Sequence, residues 1–281
     1  MELLATISDT RRYIATQKSK KKSIGLVPTM GYLHKGHLSL VEGARKQNDV
    51  VTVSIFVNPT QFGPQEDLDR YPRDLEKDRK SCQEAGVDAI FMPTAQEMYP
   101  DRFHTWVMLD TVTETLCGAS RPGHFRGVAT VVTKLFNIIQ PDRAYFGLKD
   151  FQQAVVIKQM VKDLNMPLEI VCLPTVREDD GLAISSRNEY LTAADRARAT
   201  VLYRALQIGK RLIEAGEQDA GIVHKAMTAE IDSEPRAAID YISVCDPDTL
   251  APVDTIGSQT LLALAVNLGN TRLIDNVLVT K

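Results

Sequence analysis

Two histidines, His34 and His37, stand three positions apart in the string Pro28-Thr29-Met30-Gly31-Tyr32-Leu33-His34-Lys35-Gly36-His37. Ile24–Val27 before them is an apolar run that reads as a buried strand, and Leu38–Arg45 after them has helical apolar spacing. The pair therefore falls at a strand-to-helix turn, around a helix N-terminus. Such an end offers outward N–H groups and a positive dipole, which suits a phosphate. At i and i+3 both imidazoles share a face. Metal ligation is a second reading of paired histidines, but no third ligand stands near them in sequence.

Three other segments carry usable chemistry. Phe146-Gly147-Leu148-Lys149-Asp150-Phe151-Gln152-Gln153 places a lysine and an acid at a strand end. Lys149 could neutralise charge on a phosphorus under attack, and Asp150 could also cap the helix that follows. Ser185-Ser186-Arg187 combines two hydroxyls with a guanidinium fork, a set suited to phosphate oxygens. Gln61, in Phe56-Val57-Asn58-Pro59-Thr60-Gln61-Phe62, both donates and accepts, as a substrate with hydroxyl and carboxylate groups requires. Asp78 lies on a helix with Glu76 nearby, either as part of a solvated face or as a magnesium–phosphate contact.

The elements that must position these groups alternate. A first helix capped by Ser8 runs to Lys18, and Val50–Val57 is a run rich in β-branched residues, typical of a central parallel strand. A helix at Asp74–Ala85 precedes strand Asp88–Met92; helix Gly127–Ile139 precedes strand Arg143–Phe146; helix Phe151–Leu164 precedes strand Leu168–Leu173. That order predicts an open parallel sheet with helices on both faces, whose ligands bind at the carboxyl ends of the strands. After Val176 the pattern changes. Ser185–Asn188 reads as a loop, Thr192–Ala215 as one long helical segment and Asp219–Ile231 as another. Ile239–Val244, Thr260–Val266 and Arg272–Val279 are strands without helices between them. The expected organisation is thus a Rossmann-like domain over 1–176 and a smaller α+β lid domain over 177–281.

Composition narrows the function. The chain has 281 residues, 44% hydrophobic and 25% charged, with a formal net charge of −3. No basic field argues for nucleic acid, and no apolar run is long enough to span a bilayer. The start of the chain lacks a signal-peptide pattern. Cys82, Cys117, Cys172 and Cys245 form no C-x-x-C pair and read as buried thiols in a reducing cytoplasm. Neither G-x-G-x-x-G nor G-x-x-x-x-G-K-[ST] occurs. A nucleotide would have to use the histidine turn and a second clamp.

The H-x-G-H turn with its Pro-Thr-Met-Gly lead-in resembles the nucleotidyltransferase superfamily, and within it the pantothenate synthetase (pantoate–β-alanine ligase) family. Gly147-Leu148-Lys149-Asp150-Phe151-Gln152-Gln153 matches that family's G-x-K-D-x-Q-Q pattern, and Ser185-Ser186-Arg187 sits where it carries its second phosphate signature. Tyr71-Pro72-Arg73, Arg121–Gly127 and Arg272-Leu273-Ile274-Asp275-Asn276 match as well. The resemblance implies a ligase that joins (R)-pantoate to β-alanine through a pantoyl adenylate, using ATP and Mg2+, as a cytoplasmic homodimer. It further implies that Met30, His34, His37, Gly147, Lys149, Asp150, Val176, Ile184, Ser185, Ser186 and Arg187 contact ATP. His34, His37, Lys149 and Arg187 would serve catalysis, and Gln61 and Gln153 would hold pantoate. An adenylyltransferase for a phosphorylated acceptor, a metal-dependent hydrolase and a non-catalytic nucleotide sensor stay open at this point. The glutamines favour a small unphosphorylated acid over the first of these.

Overall fold

The computed structural model describes residues 1–281, which divide into two compact units. The first comprises Met1–Leu109, Pro122–Leu148 and Val156–Pro174. The second comprises Asp110–Arg121, Lys149–Val155 and Thr175–Lys281. The chain's last passage into the second unit thus begins at Thr175, and two earlier segments also pack there.

In the first unit six parallel strands form one sheet: β1 Glu2–Leu4, β2 Ile24–Thr29, β3 Val50–Ile55, β4 Ala89–Phe91, β5 Arg143–Gly147 and β6 Glu169–Leu173. Their order is β1-β4-β3-β2-β5-β6. The chain builds outward from β2 to β3 and β4, then returns to the other side of β2 with β5. The carboxyl ends of β2 and β5 therefore flank a topological switch point, where open α/β sheets bind ligands. Alternation sorts β3: Val51 and Val53 join Val27, Leu40, Val41, Ala44 and Ile90 in one apolar cluster, while Thr52 and Ser54 turn to the opposite face. Helix Lys35–Gln47 packs on β2 and β5, and helix His124–Ile139 packs on β2 and on helix Ile7–Ser19.

In the second unit β7 Ala237–Cys245, β8 Gln259–Leu268 and β9 Thr271–Thr280 make an antiparallel sheet in the order β7-β8-β9. Helices Val201–Glu214 and Ala220–Asp232 cover one face through Leu202, Leu206, Val223, Met227 and Ile231 against Leu262, Leu264, Val266 and Val279. A second cluster holds Leu116, Phe151, Val155 and Tyr241 against Cys245, Leu261 and Ala263. These contacts explain why 110–121 and 149–155 belong to this unit.

Several local expectations are corrected. The first helix is capped by Thr6, not Ser8: the Thr6 hydroxyl accepts from the Asp9 amide at 3.0 Å and donates to the Asp9 carboxylate at 2.8 Å. The segment after Thr192 is two helices, Ala193–Arg198 and Val201–Glu214. At the break the Thr200 hydroxyl donates to the Ala197 carbonyl at 3.0 Å, a local bond that competes with the helical ladder. Ser186–Tyr190 is a 3-10 helix rather than a loop, with Ser185 as its N-cap. All four cysteines are free thiols, but Cys172 is only partly buried. No helix is long and apolar enough to cross a membrane.

Candidate active site

In the first unit the site begins where β2 ends. Gly31 and Tyr32 both adopt left-handed backbone, with φ of 82° and 51°. For a tyrosine this is a disfavoured conformation, sustained only when the surroundings hold it. The holder is Asp78, which is 2% exposed. Its two carboxylate oxygens accept from the Tyr32 amide at 2.8 Å and the Leu33 amide at 2.6 Å. A side chain at Gly31 would press on the same carboxylate at 3.0 Å. Burial pushes the Asp78 pKa up, and the Leu33 and Tyr32 amides oppose that rise. Both oxygens accept from backbone amides, which makes Asp78 the anchor of this loop.

The anchored loop delivers His34 as the N-cap of helix Lys35–Gln47. Thr6, Asp74, Thr94, Thr192 and Asp219 all cap their helices through side-chain oxygens, whereas His34 supplies no such bond. The imidazoles of His34 and His37 stack, with ring centroids 4.0 Å apart and planes 22° apart. Two aligned ring edges beside an N-terminal turn of amides form a donor surface suited to an anion. No group of three or more His, Cys, Asp or Glu side chains gathers in metal-binding geometry.

Gln61 closes a short 3-10 turn, Pro59–Gln61, after β3. Its side chain accepts from Asn58 at 3.0 Å and donates to the Met30 sulfur at 3.2 Å, and the His124 ring bonds its carbonyl at 2.8 Å. Asn58 is 1% exposed and bonds the Tyr99 hydroxyl at 2.8 Å and the Gly127 carbonyl at 3.2 Å. Gly127 lies so close that a Cβ there would sit 2.3 Å from the Thr60 carbonyl oxygen. Met30 and Gln61 thus share one contact, and Gly147 ends β5 on the neighbouring strand. Sequence reasoning missed Asn58, Tyr99 and His124 as supports. The signals were present: an asparagine ahead of Pro59, and the Arg-Pro-Gly-His-Phe-Arg-Gly string, in which Arg126 stacks over Trp106 at 4.6 Å. Tyr71 packs edge-on against Phe62, and Arg73 donates to the Tyr71 carbonyl at 3.3 Å, so both brace this stretch of chain.

In the second unit Lys149 and Asp150 lie in a 3-10 turn, Leu148–Asp150, that runs directly into helix Phe151–Asp163. Asp150 is therefore part of a continuous helical path rather than a separate cap, and its carboxylate lies 3.8 Å from the Lys149 ammonium. Gln152 is structural: its carbonyl accepts from the Cys117 amide at 2.9 Å, and its amide donates to Val112 and Thr115 carbonyls at 3.0 and 2.8 Å. Gln153 is one step round the helix and half-buried. Val176 and Ile184 face each other across a small hairpin, closed by the Ile184 amide on the Val176 carbonyl at 3.0 Å. The hairpin hands the chain to Ser185, whose hydroxyl accepts from the Arg187 amide at 3.3 Å. Ser186 is 6% exposed and Arg187 half-buried. The sequence-predicted residues thus gather as Met30, His34, His37, Gln61 and Gly147 in one unit, and Lys149, Asp150, Gln153, Val176, Ile184, Ser185, Ser186 and Arg187 in the other.

Comparison with known proteins follows the same lines. The profile of the family described as pantoate-beta-alanine ligase matches residues 2–278. Pantothenate synthetase from Moorella thermoacetica is 63% identical over 277 residues, covering 99% of this chain and 98% of the relative. The enzyme of that name from Acetivibrio thermocellus is 58% identical over 279 residues, covering 99% of each chain. The crystal structure of pantothenate synthetase from Thermus thermophilus superimposes with a TM-score of 0.94 at 47% identity, covering 99% of each chain. Pantoate-beta-alanine ligase from Francisella tularensis, solved in complex with beta-gamma ATP and beta-alanine, gives a TM-score of 0.80 at 36% identity. That match covers 99% of this chain and 97% of the other.

Proposed function

The chain belongs to the pantoate–β-alanine ligase family, and from that premise we propose how its residues divide the work. The reaction condenses pantoate and β-alanine to pantothenate in two steps. The pantoate carboxylate attacks the α-phosphorus of ATP and expels pyrophosphate. The β-alanine amine then attacks the acyl carbon of pantoyl adenylate and releases AMP. Both nucleophiles belong to substrates, so the protein's task is positioning and charge stabilisation.

His34 and His37 take the phosphates of ATP, with the N-terminal amides of helix Lys35–Gln47 beside them. The observation that carries this assignment is the stacked pair at a helix end without a side-chain cap. Lys149 offsets charge at the α-phosphate, and Ser185, Ser186 and Arg187 hold the other phosphate oxygens. Met30, Gly147, Asp150, Val176 and Ile184 line the nucleotide. Gln61 and Gln153 hold the hydroxyl and carboxylate groups of (R)-pantoate, with Gln61 fixed beforehand by Asn58 and Met30. Magnesium, which shields phosphate charge when bound, suits a place on the nucleotide itself: the chain gathers no carboxylate cage, and both Asp78 oxygens are engaged. We assign the enzyme to the cytoplasm, in keeping with four unpaired cysteines, and to a homodimer, which sedimentation at high concentration would test.

The decisive experiment is single-turnover pyrophosphate release. ATP, magnesium and pantoate together should release one pyrophosphate per active site without β-alanine. Release that waits for β-alanine would overturn the order of steps; release without pantoate would overturn the acid assignment.

A further inference from the structure

The Arg272-Leu273-Ile274-Asp275-Asn276 motif on β9 has no role in the division of work above, yet it holds two adjacent buried polar residues. Asp275 is 3% and Asn276 8% exposed. Neighbours in a strand point to opposite faces, so the two reach different parts of the second unit.

Asp275 shares its face with Leu273 and Val279, which belong to the helix-covered cluster. There it meets Arg177 as a fork on a fork: Arg177 NH1 donates to Oδ2 at 2.6 Å and NH2 to Oδ1 at 2.9 Å. The same guanidinium donates to the Gly181 carbonyl at 2.9 Å and the Asn276 carbonyl at 3.2 Å, and stacks over Tyr203 at 5.0 Å. Arg177 pairs with Ala183 in the hairpin that carries Val176 and Ile184 and leads into Ser185–Arg187. One buried carboxylate thus fixes the base of the Ser-Ser-Arg segment.

Asn276 reaches the other way. Its side-chain amide donates to the Lys149 carbonyl at 2.9 Å. Its own backbone amide donates to Asp275 Oδ1 at 2.8 Å, so both contacts belong to one bonded network.

We propose that Asp275 and Asn276 are positioning residues for adenylation, tying the Ser185–Arg187 segment and Lys149 to opposite faces of one strand so that these groups meet the nucleotide in fixed mutual register. The inference rests on the assignment of Lys149 and Ser185–Arg187 to ATP. Each acts through a neighbour: Asp275 through the Arg177 guanidinium and Asn276 through the Lys149 backbone. A displacement near 1 Å of a group that must meet a reacting centre costs on the order of a hundredfold in rate.

The test is a double-mutant cycle on single-turnover adenylation with Asn276→Ala and Lys149→Ala. Asn276→Ala deletes one side-chain bond and leaves the Asp275–Arg177 pair in place, so the fold should survive, as a thermal melt will verify. Its adenylation rate should fall about tenfold, with a smaller rise in the ATP KM. In the Lys149→Ala background the same change should cost less than twofold, because the group it positions is gone. A parental rate for Asn276→Ala would overturn the proposal. So would a full tenfold loss in the lysine-free background, which would mark a general structural defect. Failure of the underlying assignment is separately visible: Lys149→Ala alone would then adenylate at the parental rate, and the proposal would fall with it. Asp275→Asn supplies the second arm. Ordered protein with an adenylation defect supports the proposal, and ordered protein at the parental rate overturns it for Asp275. An unfolded product also overturns it for Asp275, by making that carboxylate a support of the whole fold rather than of one segment.

Discussion

The histidine turn and the hairpin that leads into Ser185–Arg187 are each held by one buried aspartate, but the two aspartates grip different things. Asp78 holds two backbone amides of a left-handed loop and meets no guanidinium or ammonium in that grip. Asp275 holds a full guanidinium through two parallel bonds. The first arrangement leaves a buried negative charge balanced mainly by dipoles, and burial accordingly pushes the Asp78 pKa up. The second is a bidentate ion pair, whose strength lies in geometry as well as charge. One unit therefore shapes its histidine turn with an anchor that costs something to keep ionised. The other unit orders its side-chain donors with a charge that is paired.

The strongest way to break this contrast is to remove what the first anchor serves. His34→Ala and His37→Ala should each lower single-turnover adenylation by on the order of a hundredfold or more, the loss expected of one preorganised charge-stabilising donor. Folding should persist, since neither side chain belongs to the apolar clusters. Near-parental rates in both variants would show that the turn Asp78 anchors has no phosphate work to do.

A smaller effect is expected one step back. Asp78→Asn leaves one acceptor for two amides, so the loop should lose definition and adenylation should drop about tenfold, in the range for a misplaced group. The loss should be the same at every magnesium concentration above saturation. Recovery under excess magnesium would make Asp78 a metal contact and dissolve the comparison. The substitution removes a costly buried charge but leaves one buried N–H without an acceptor, so thermal stability should fall.

The finest distinction lies in the pH dependence of stability. For Asp78 the folded pKa lies above the ordinary 3.8, so the folded state binds the proton more tightly than the unfolded chain. Its contribution is most favourable below 3.8 and declines as pH rises through the folded value. Asp195, in the second unit, behaves oppositely. Bonds from Arg236 and then Thr192 hold its pKa below 3.8, so its contribution is present above 3.8 and is lost as pH falls through the folded value. Urea unfolding of the parent, Asp78→Asn and Asp195→Asn across this acid range should therefore give difference curves of opposite slope. Parallel curves would mean that the two carboxylates are stabilised alike.

Much of this was legible in sequence where the signal is local. The histidine turn is a single uninterrupted string between a strand and a helix, and the alternation of β2 through β6 with helices dictated a parallel sheet. The anchors were not legible, because they are long-range. Asp78 lies 46 positions from Tyr32, and Asp275 lies 98 from Arg177. No periodicity links such pairs, and an aspartate on a helix reads first as a solvated face. Thr6 escaped notice for a different reason: its partner Asp9 stands at the capping-box spacing but is an aspartate rather than the more familiar glutamate or glutamine. Strand β1, Glu2–Leu4, is too short to show a period at all.

The place of β9 in the chain has a consequence for the protein as it is made. Asn276 follows the lysine it supports by 127 positions. At roughly 5–20 residues per second, a ribosome adds that stretch in about 6–25 s. Throughout that interval Lys149 has been synthesised without the strand that supports it. The histidine turn has by then received its buried aspartate, since Asp78 precedes Lys149. A nascent chain therefore receives the anchor of its histidine turn early and the side-chain bond to the Lys149 carbonyl late, with β9.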